Sequence, residues 1–168
     1  MKYIFCICLT LFAFQFTMAQ EKDDKEKPAY FEKPMPQFTL QQVADSTTNY
    51  TNDKLPKNKQ VVLIWFNPDC EHCQAETKLI TEHIDQFADA HIVMATFQPF
   101  DKMKNFYKAY EIEKYPTISM GRDKKYFLAS YFSVRFVPFV AIYDKNYKLK
   151  KVFEGGATME QITEALKE

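Results

Sequence analysis

Cys70 and Cys73 stand two residues apart in the stretch FNPDCEHCQAE (66–76), directly after the apolar run VVLIWF (61–66). Such a pair can staple a loop, ligate a metal, or pass electrons as a dithiol and disulfide. A staple is a poor use of it, because disulfide stabilisation grows with the length of the loop closed. A zinc site needs two further ligands, and the histidine candidates are His72, His83 and His91. His83 lies more than two turns beyond Cys73 on the same expected helix, and there is no second CxxC and no HxxxH. His83 and His91 read as surface or edge residues, and no metal is expected.

Position favours redox chemistry. Cys70 falls at the expected first turn of a helix that follows a buried strand. Unpaired N–H groups and the positive end of the helix dipole favour a thiolate there. The thiolate is the nucleophile of disulfide exchange. Cys73, one turn on, is placed to resolve a mixed disulfide formed at Cys70.

The elements that position the pair follow from periodicity. VVLIWF is continuously apolar and β-branched and reads as a central buried strand. Asn67-Pro68-Asp69 stops it. From Cys70 to about Phe87 the spacing of Cys73, Thr77, Ile80, Ile84 and Phe87 predicts a helix. HIVMATF (91–97) reads as a second buried strand, and strand–helix–strand implies a parallel pair. MPQFTLQQV (35–43) and the polar segment after it hold two short strands. A helix over 101–112, a strand in YPTISM and a short helix in DKKYFLASYF follow. PFVAIYD and YKLKKVFE flank a turn at Asp144–Asn146 and form a hairpin that ends at Gly155-Gly156. TMEQITEALKE closes the chain, with Thr158 and Gln161 spaced for a capping box.

The chain has 168 residues, with 22 basic and 22 acidic groups. It lacks the basic surplus that nucleic-acid binding needs. Residues 1–19 have the layout of a cleavable signal peptide: Lys2, an apolar core over 4–16, then Thr17-Met18-Ala19. The apolar core is shorter than the roughly 20 residues of a spanning helix, so no membrane span is expected after cleavage. Cys6 and Cys8 would leave with the leader, so Cys70 and Cys73 would be the only cysteines in an oxidising compartment. Residues 20–34 read as a flexible charged lead and 35–168 as a single domain.

Strand, CxxC at a helix start, and a later Val-Pro before a hairpin together resemble the thioredoxin fold over roughly residues 35–168. The chain is more similar to exported TlpA/ResA-like thiol–disulfide oxidoreductases, next to the AhpC/TSA group, than to plain thioredoxin. PMPQFTLQQV resembles their N-terminal hairpin, and residues 97–136 resemble their central insertion. The resemblance implies an α/β fold with a central mixed β-sheet flanked by helices. It makes Glu76, three residues after Cys73, the active-site acid. A carboxylate one turn from the thiols would raise their pKa and could carry a proton. It also makes Pro138, in FVPFVAIYD, the cis-proline that faces the cysteines, and gives Val137 backbone hydrogen bonds to an extended substrate. Pro116 reads as a turn.

The chain also departs from the pattern. Plain thioredoxins carry a buried acid six residues before the first cysteine, where Ile64 stands. Asp69 replaces their tryptophan; it is suited to cap the helix, and its charge opposes a Cys70 thiolate. Glu71 resembles the reductases of the superfamily, whereas His72 resembles the oxidising DsbA-like proteins. His72 would lower the Cys70 pKa and Asp69, Glu71 and Glu76 would raise it, so distances decide the balance.

The sequence thus predicts an exported, periplasmic thiol–disulfide oxidoreductase acting on protein thiols and disulfides, most simply as a reductase, with no organic cofactor. The resemblance implies a membrane thiol transporter as electron donor and apocytochromes among the substrates of relatives. A non-catalytic binding module of the same fold is one rival. A thiol peroxidase of the AhpC/TSA group is another, although the Pro-x-x-x-Thr-x-x-Cys setting is absent before Cys70. A copper chaperone would want three residues between the cysteines.

Overall fold

A computed structural model describes residues 28–168; the expected signal peptide and the first part of the charged lead lie outside them. Seven strands form one mixed sheet: β1 Thr39–Gln42, β2 Asn49–Thr51, β3 Gln60–Trp65, β4 Ala90–Thr96, β5 Ile118–Arg122, β6 Phe139–Tyr143 and β7 Leu149–Glu154, in the order β2-β1-β5-β4-β3-β6-β7. β3, β4 and β5 run parallel, with Trp65 opposite Ala95 and Thr96 opposite Arg122. β6 and β7 run antiparallel beyond β3, and the β1–β2 hairpin runs antiparallel beyond β5. Four helices complete the fold: α1 Glu71–Glu82, α2 Phe100–Ala109, α3 Phe127–Phe132 and α4 Met159–Lys167.

The central strands are apolar on both faces because helices cover both. Val62, Ile64 and Phe66 point into one core with Ile80 of α1, Phe106 of α2 and Ile162 of α4. Val61, Leu63 and Trp65 point into the other, with Leu128 and Phe132 of α3. This alternation is the period-2 geometry of a strand. Gly121 sets how closely β1 can approach β5, because a Cβ there would lie 2.6 Å from the Leu40 Cβ.

Three expectations need correction. The helix does not run to Phe87. It ends at Glu82; His83 leaves helical geometry, and a separate 3-10 turn over Ile84–Phe87 swings Phe87 into the core. The packed chain also begins before residue 35: Tyr30 is buried, its ring lies 5.4 Å from that of Phe132, and the Tyr131 hydroxyl donates to the Pro34 carbonyl. His91 is neither a surface nor an edge residue but is 6% exposed within β4. Its Nε2 lies 3.0 Å from both the Tyr50 hydroxyl and the Ser119 hydroxyl, and burial holds its pKa down to about 4.

The two ends of the site-bearing hairpin behave as read. The Asp144 carboxylate accepts from the N–H groups of Asn146 and Lys148 at 2.8 Å. Thr158 and Gln161 form the reciprocal capping box of α4. Pro116 lies in a turn, and among the described residues the one cis peptide bond is Val137–Pro138.

Candidate active site

β3 delivers the site. The Phe66 N–H still donates to the Ala95 carbonyl, after which Asn67-Pro68-Asp69 turns the chain into α1. Cys70 is the N-cap residue of that helix, and no side chain caps it. The expected Asp69 cap is therefore absent. Asp69 pairs instead with Lys102 of α2, so its charge has a cation beside it.

The two thiols are free and differ in access. Cys70 is half-buried, and its Sγ lies 3.8 Å from the Val137 carbonyl oxygen, toward which the thiol donates. Cys73 is 1% exposed and accepts from the Asn67 N–H at 3.5 Å. Burial pushes the Cys73 thiol well above its ordinary range, with smaller upward contributions from Cys70 and the Glu76 charge; the Asn67 N–H works against them. At neutral pH Cys73 is thus a neutral thiol that needs a base before it can attack.

Glu76 is a buried acid on the same helix. It follows Cys73 by one turn on the buried side of α1 and is only 6% exposed. Its Oε2 accepts from the Ala157 N–H at 2.8 Å, while its buried Oε1 has no partner among the described residues. Burial raises its pKa to about 7, and the Ala157 bond limits the rise. Near that pH a carboxyl both takes and gives a proton readily. The acid comes from α1 and not from β3, where Ile64 sits in the core.

Glu71 and His72 are exposed. His72 and Glu76 line one groove of about 410 Å³ between α1 and the start of α4. Among the described residues no three His, Cys, Asp or Glu side chains converge as a metal-ligand set. His91 sits at the far end of β4 from the cysteines, opposite Val61.

Sequence reasoning missed three contributors. Gly156 has φ +111, and a Cβ there would lie 3.4 Å from Glu76 Oε2 and 3.5 Å from Pro138 Cγ. The loop into α4 thus closes over both the acid and the cis-proline. Ala157 supplies the N–H that holds Glu76, and Lys102 pairs with Asp69. The glycine pair after the last strand was the one available signal, and it reads equally well as a hairpin end.

The Redoxin family model matches residues 32–166. The chain belongs to the Redoxin family. Solved structures agree on the fold, which is thioredoxin-like. One is a secreted Mycobacterium tuberculosis disulfide oxidoreductase homologous to E. coli DsbE, with 15% identity and a TM-score of 0.64 over 78% of this chain and 95% of that one. Another is the exposed lipoprotein thioredoxin of Streptococcus pneumoniae, with 25% identity and a TM-score of 0.61 over 79% and 98%. A third is the peroxidoxin BcpB of M. tuberculosis, with 18% identity and a TM-score of 0.65 over 80% and 92%. No curated protein matches this chain in sequence. Within this Redoxin fold, the cysteines, Glu76 and the Val137–Pro138 segment gather at one end of the central strands β3 and β6.

Proposed function

We propose that this Redoxin-family protein is an exported thiol–disulfide oxidoreductase that reduces protein disulfides. One observation carries the reading: a half-exposed thiol facing the Val137 carbonyl stands one turn before a buried thiol, itself one turn before a buried carboxyl. The Cys70 thiolate attacks one sulfur of the substrate disulfide. A Cys70–substrate bond forms, the substrate S–S bond breaks, and the first substrate thiolate leaves. Cys73 gives its proton to Glu76 and attacks the Cys70 sulfur. The internal disulfide forms, and the second substrate thiolate leaves and takes up a proton. Val137 and Pro138 hold the substrate strand across Cys70, and Asp69, Glu71 and His72 tune its charge. A dithiol donor then restores the Cys70–Cys73 pair; a membrane thiol transporter is the donor class this reading favours.

Export is supported by the sequence layout of residues 1–19 and by the secreted and exposed relatives. Among the described residues no helix is long and apolar enough to cross a membrane. The likeness to a peroxidoxin favours one second reading, a thiol peroxidase. Mixing the reduced protein with a disulfide-bonded protein, or with hydrogen peroxide, separates the two. The proposal expects stoichiometric formation of the Cys70–Cys73 disulfide with the protein and at least tenfold slower oxidation by peroxide. The reverse order would establish the peroxidase.

A further inference from the structure

At the end of the sheet that leads to the thiol site the chain displays a ladder of rings. Tyr126 packs edge-on against the buried Trp65 at 5.5 Å and against Phe97 at 5.3 Å. The Arg122 guanidinium lies 5.8 Å over the Phe97 ring, and its Nε donates to the Phe97 carbonyl. Phe97 is 43% and Tyr126 45% exposed, so the rings are fixed without being covered. Tyr126 sits at φ +55, a left-handed conformation unfavourable for a tyrosine.

The same segment is cationic. Arg122, Lys124 and Lys125 form no ion pair among the described residues. Asp123, between them in sequence, is 3% exposed and turned inward, its two carboxyl oxygens accepting from the N–H groups of Lys125 and Leu128, so the charged side chains the segment presents to solvent are cationic.

The ladder's place relates it to the thiols. β3 and β4 stay in register to their last hydrogen bond, so Phe97 and the Asn67–Cys70 turn leave neighbouring strands about 5 Å apart. Phe97 and the turn to Cys70 thus leave the same end of the sheet, with Tyr126 against Trp65 on the α3 side and α1 on the other, so a polypeptide bound at Cys70 that extends across that end meets the rings.

The geometry points to a docking surface for the partner polypeptide of the thiol exchange: a segment bearing an aromatic or aliphatic side chain and carboxylates beside its disulfide. The inference rests on the thiol-exchange reading. The rings supply rigid apolar contact, and the exposed Lys124 and Lys125 beside Arg122 supply charge complementarity. An anionic bilayer would meet the same chemistry. A bilayer, however, carries no disulfide for Cys70 to attack, whereas a polypeptide bound there brings one.

The test measures kcat/KM with the reduced protein and three synthetic peptides that share one internal disulfide. Their flanks are Phe-Glu-Glu, Phe-Lys-Lys and Ser-Glu-Glu, and hydroxyethyl disulfide serves as a probe without flanks. Phe-Glu-Glu is expected to exceed Phe-Lys-Lys by roughly tenfold in low salt, with the gap closing in high salt. Lys124→Glu with Lys125→Glu should reverse that order and leave the hydroxyethyl disulfide rate unchanged. Tyr126→Gly suits the left-handed backbone and should erase the advantage of Phe over Ser. Equal kcat/KM for all three peptides would overturn the inference. So would equal rates joined to binding of the wild type, but not the double variant, to phosphatidylserine vesicles, which would assign the surface to lipid. Failure to react with any disulfide, hydroxyethyl disulfide included, would overturn the thiol-exchange reading itself.

Discussion

The Glu76 carboxyl accepts its one hydrogen bond from the Ala157 N–H, across 81 residues of sequence. That bond ties the CxxC helix to the loop entering α4, and the other carboxyl oxygen is buried with no partner among the described residues. A carboxyl held this way is costly when charged, and its cost should be visible in the stability of the whole domain.

Glu76 and His91 should impose opposite pH dependences on stability. Glu76 has a raised folded pKa, so its contribution is full below about 4.5 and is lost as pH rises to about 7. His91 has a depressed folded pKa, so its contribution is full above about 6.5 and is lost as pH falls to about 4. Each shift corresponds to an upper limit of about 3 kcal/mol. Between about pH 4.5 and 6.5 the two slopes cancel to first order. Glu76→Gln should therefore gain stability as pH rises through that window, and His91→Gln should lose it. Denaturant titrations of both variants and the wild type check this; parallel profiles for the three would refute it.

Gly156→Ala should destabilise the protein by about 1–3 kcal/mol, because φ +111 is strained for any L side chain and its Cβ would press on Glu76 and Pro138. Gly155→Ala should cost less, since the nearest atom to its Cβ is 3.9 Å away. Only the Gly156 variant should also slow disulfide reduction. Equal losses at the two positions would mean that the loop does not close on the site.

The two thiols should differ in reactivity toward a small alkylating agent. Cys70 is half-buried, whereas Cys73 is 1% exposed and held as a neutral thiol. Iodoacetamide at pH 7 should modify Cys70 at least about a hundredfold faster than Cys73, as read by mass spectrometry of timed samples. Comparable rates would place the nucleophile wrongly.

Much of this site was legible because it rests on local rules. The VVLIWF run marked a strand covered on both faces and CxxC after it marked the helix start, whereas the cis bond at Val-Pro before the hairpin was implied only by the resemblance to the thioredoxin fold. The parts that escaped depend on partners distant in the chain. His91 opens an apolar run, but Tyr50 and Ser119, which satisfy it, lie 41 and 28 residues away. Asp69 suited a helix cap until Lys102 of α2 came beside it. The tight approach at Gly121 exists only once β1 pairs with β5. Tyr30 lay among charges and prolines that read as flexible, although its ring had a core to enter.

The most direct measurement is the reduction potential of the Cys70–Cys73 pair, by equilibration of the protein against glutathione or dithiothreitol. Burial holds Cys73 as a neutral thiol, so Cys73 gains nothing as a thiolate in the reduced form. The expected result is a reversible two-electron couple at or below about −220 mV, in the range of thioredoxin and glutaredoxins. A couple near −120 to about −180 mV would make the protein an oxidant or isomerase, and the absence of any reversible disulfide would contradict the account at its centre.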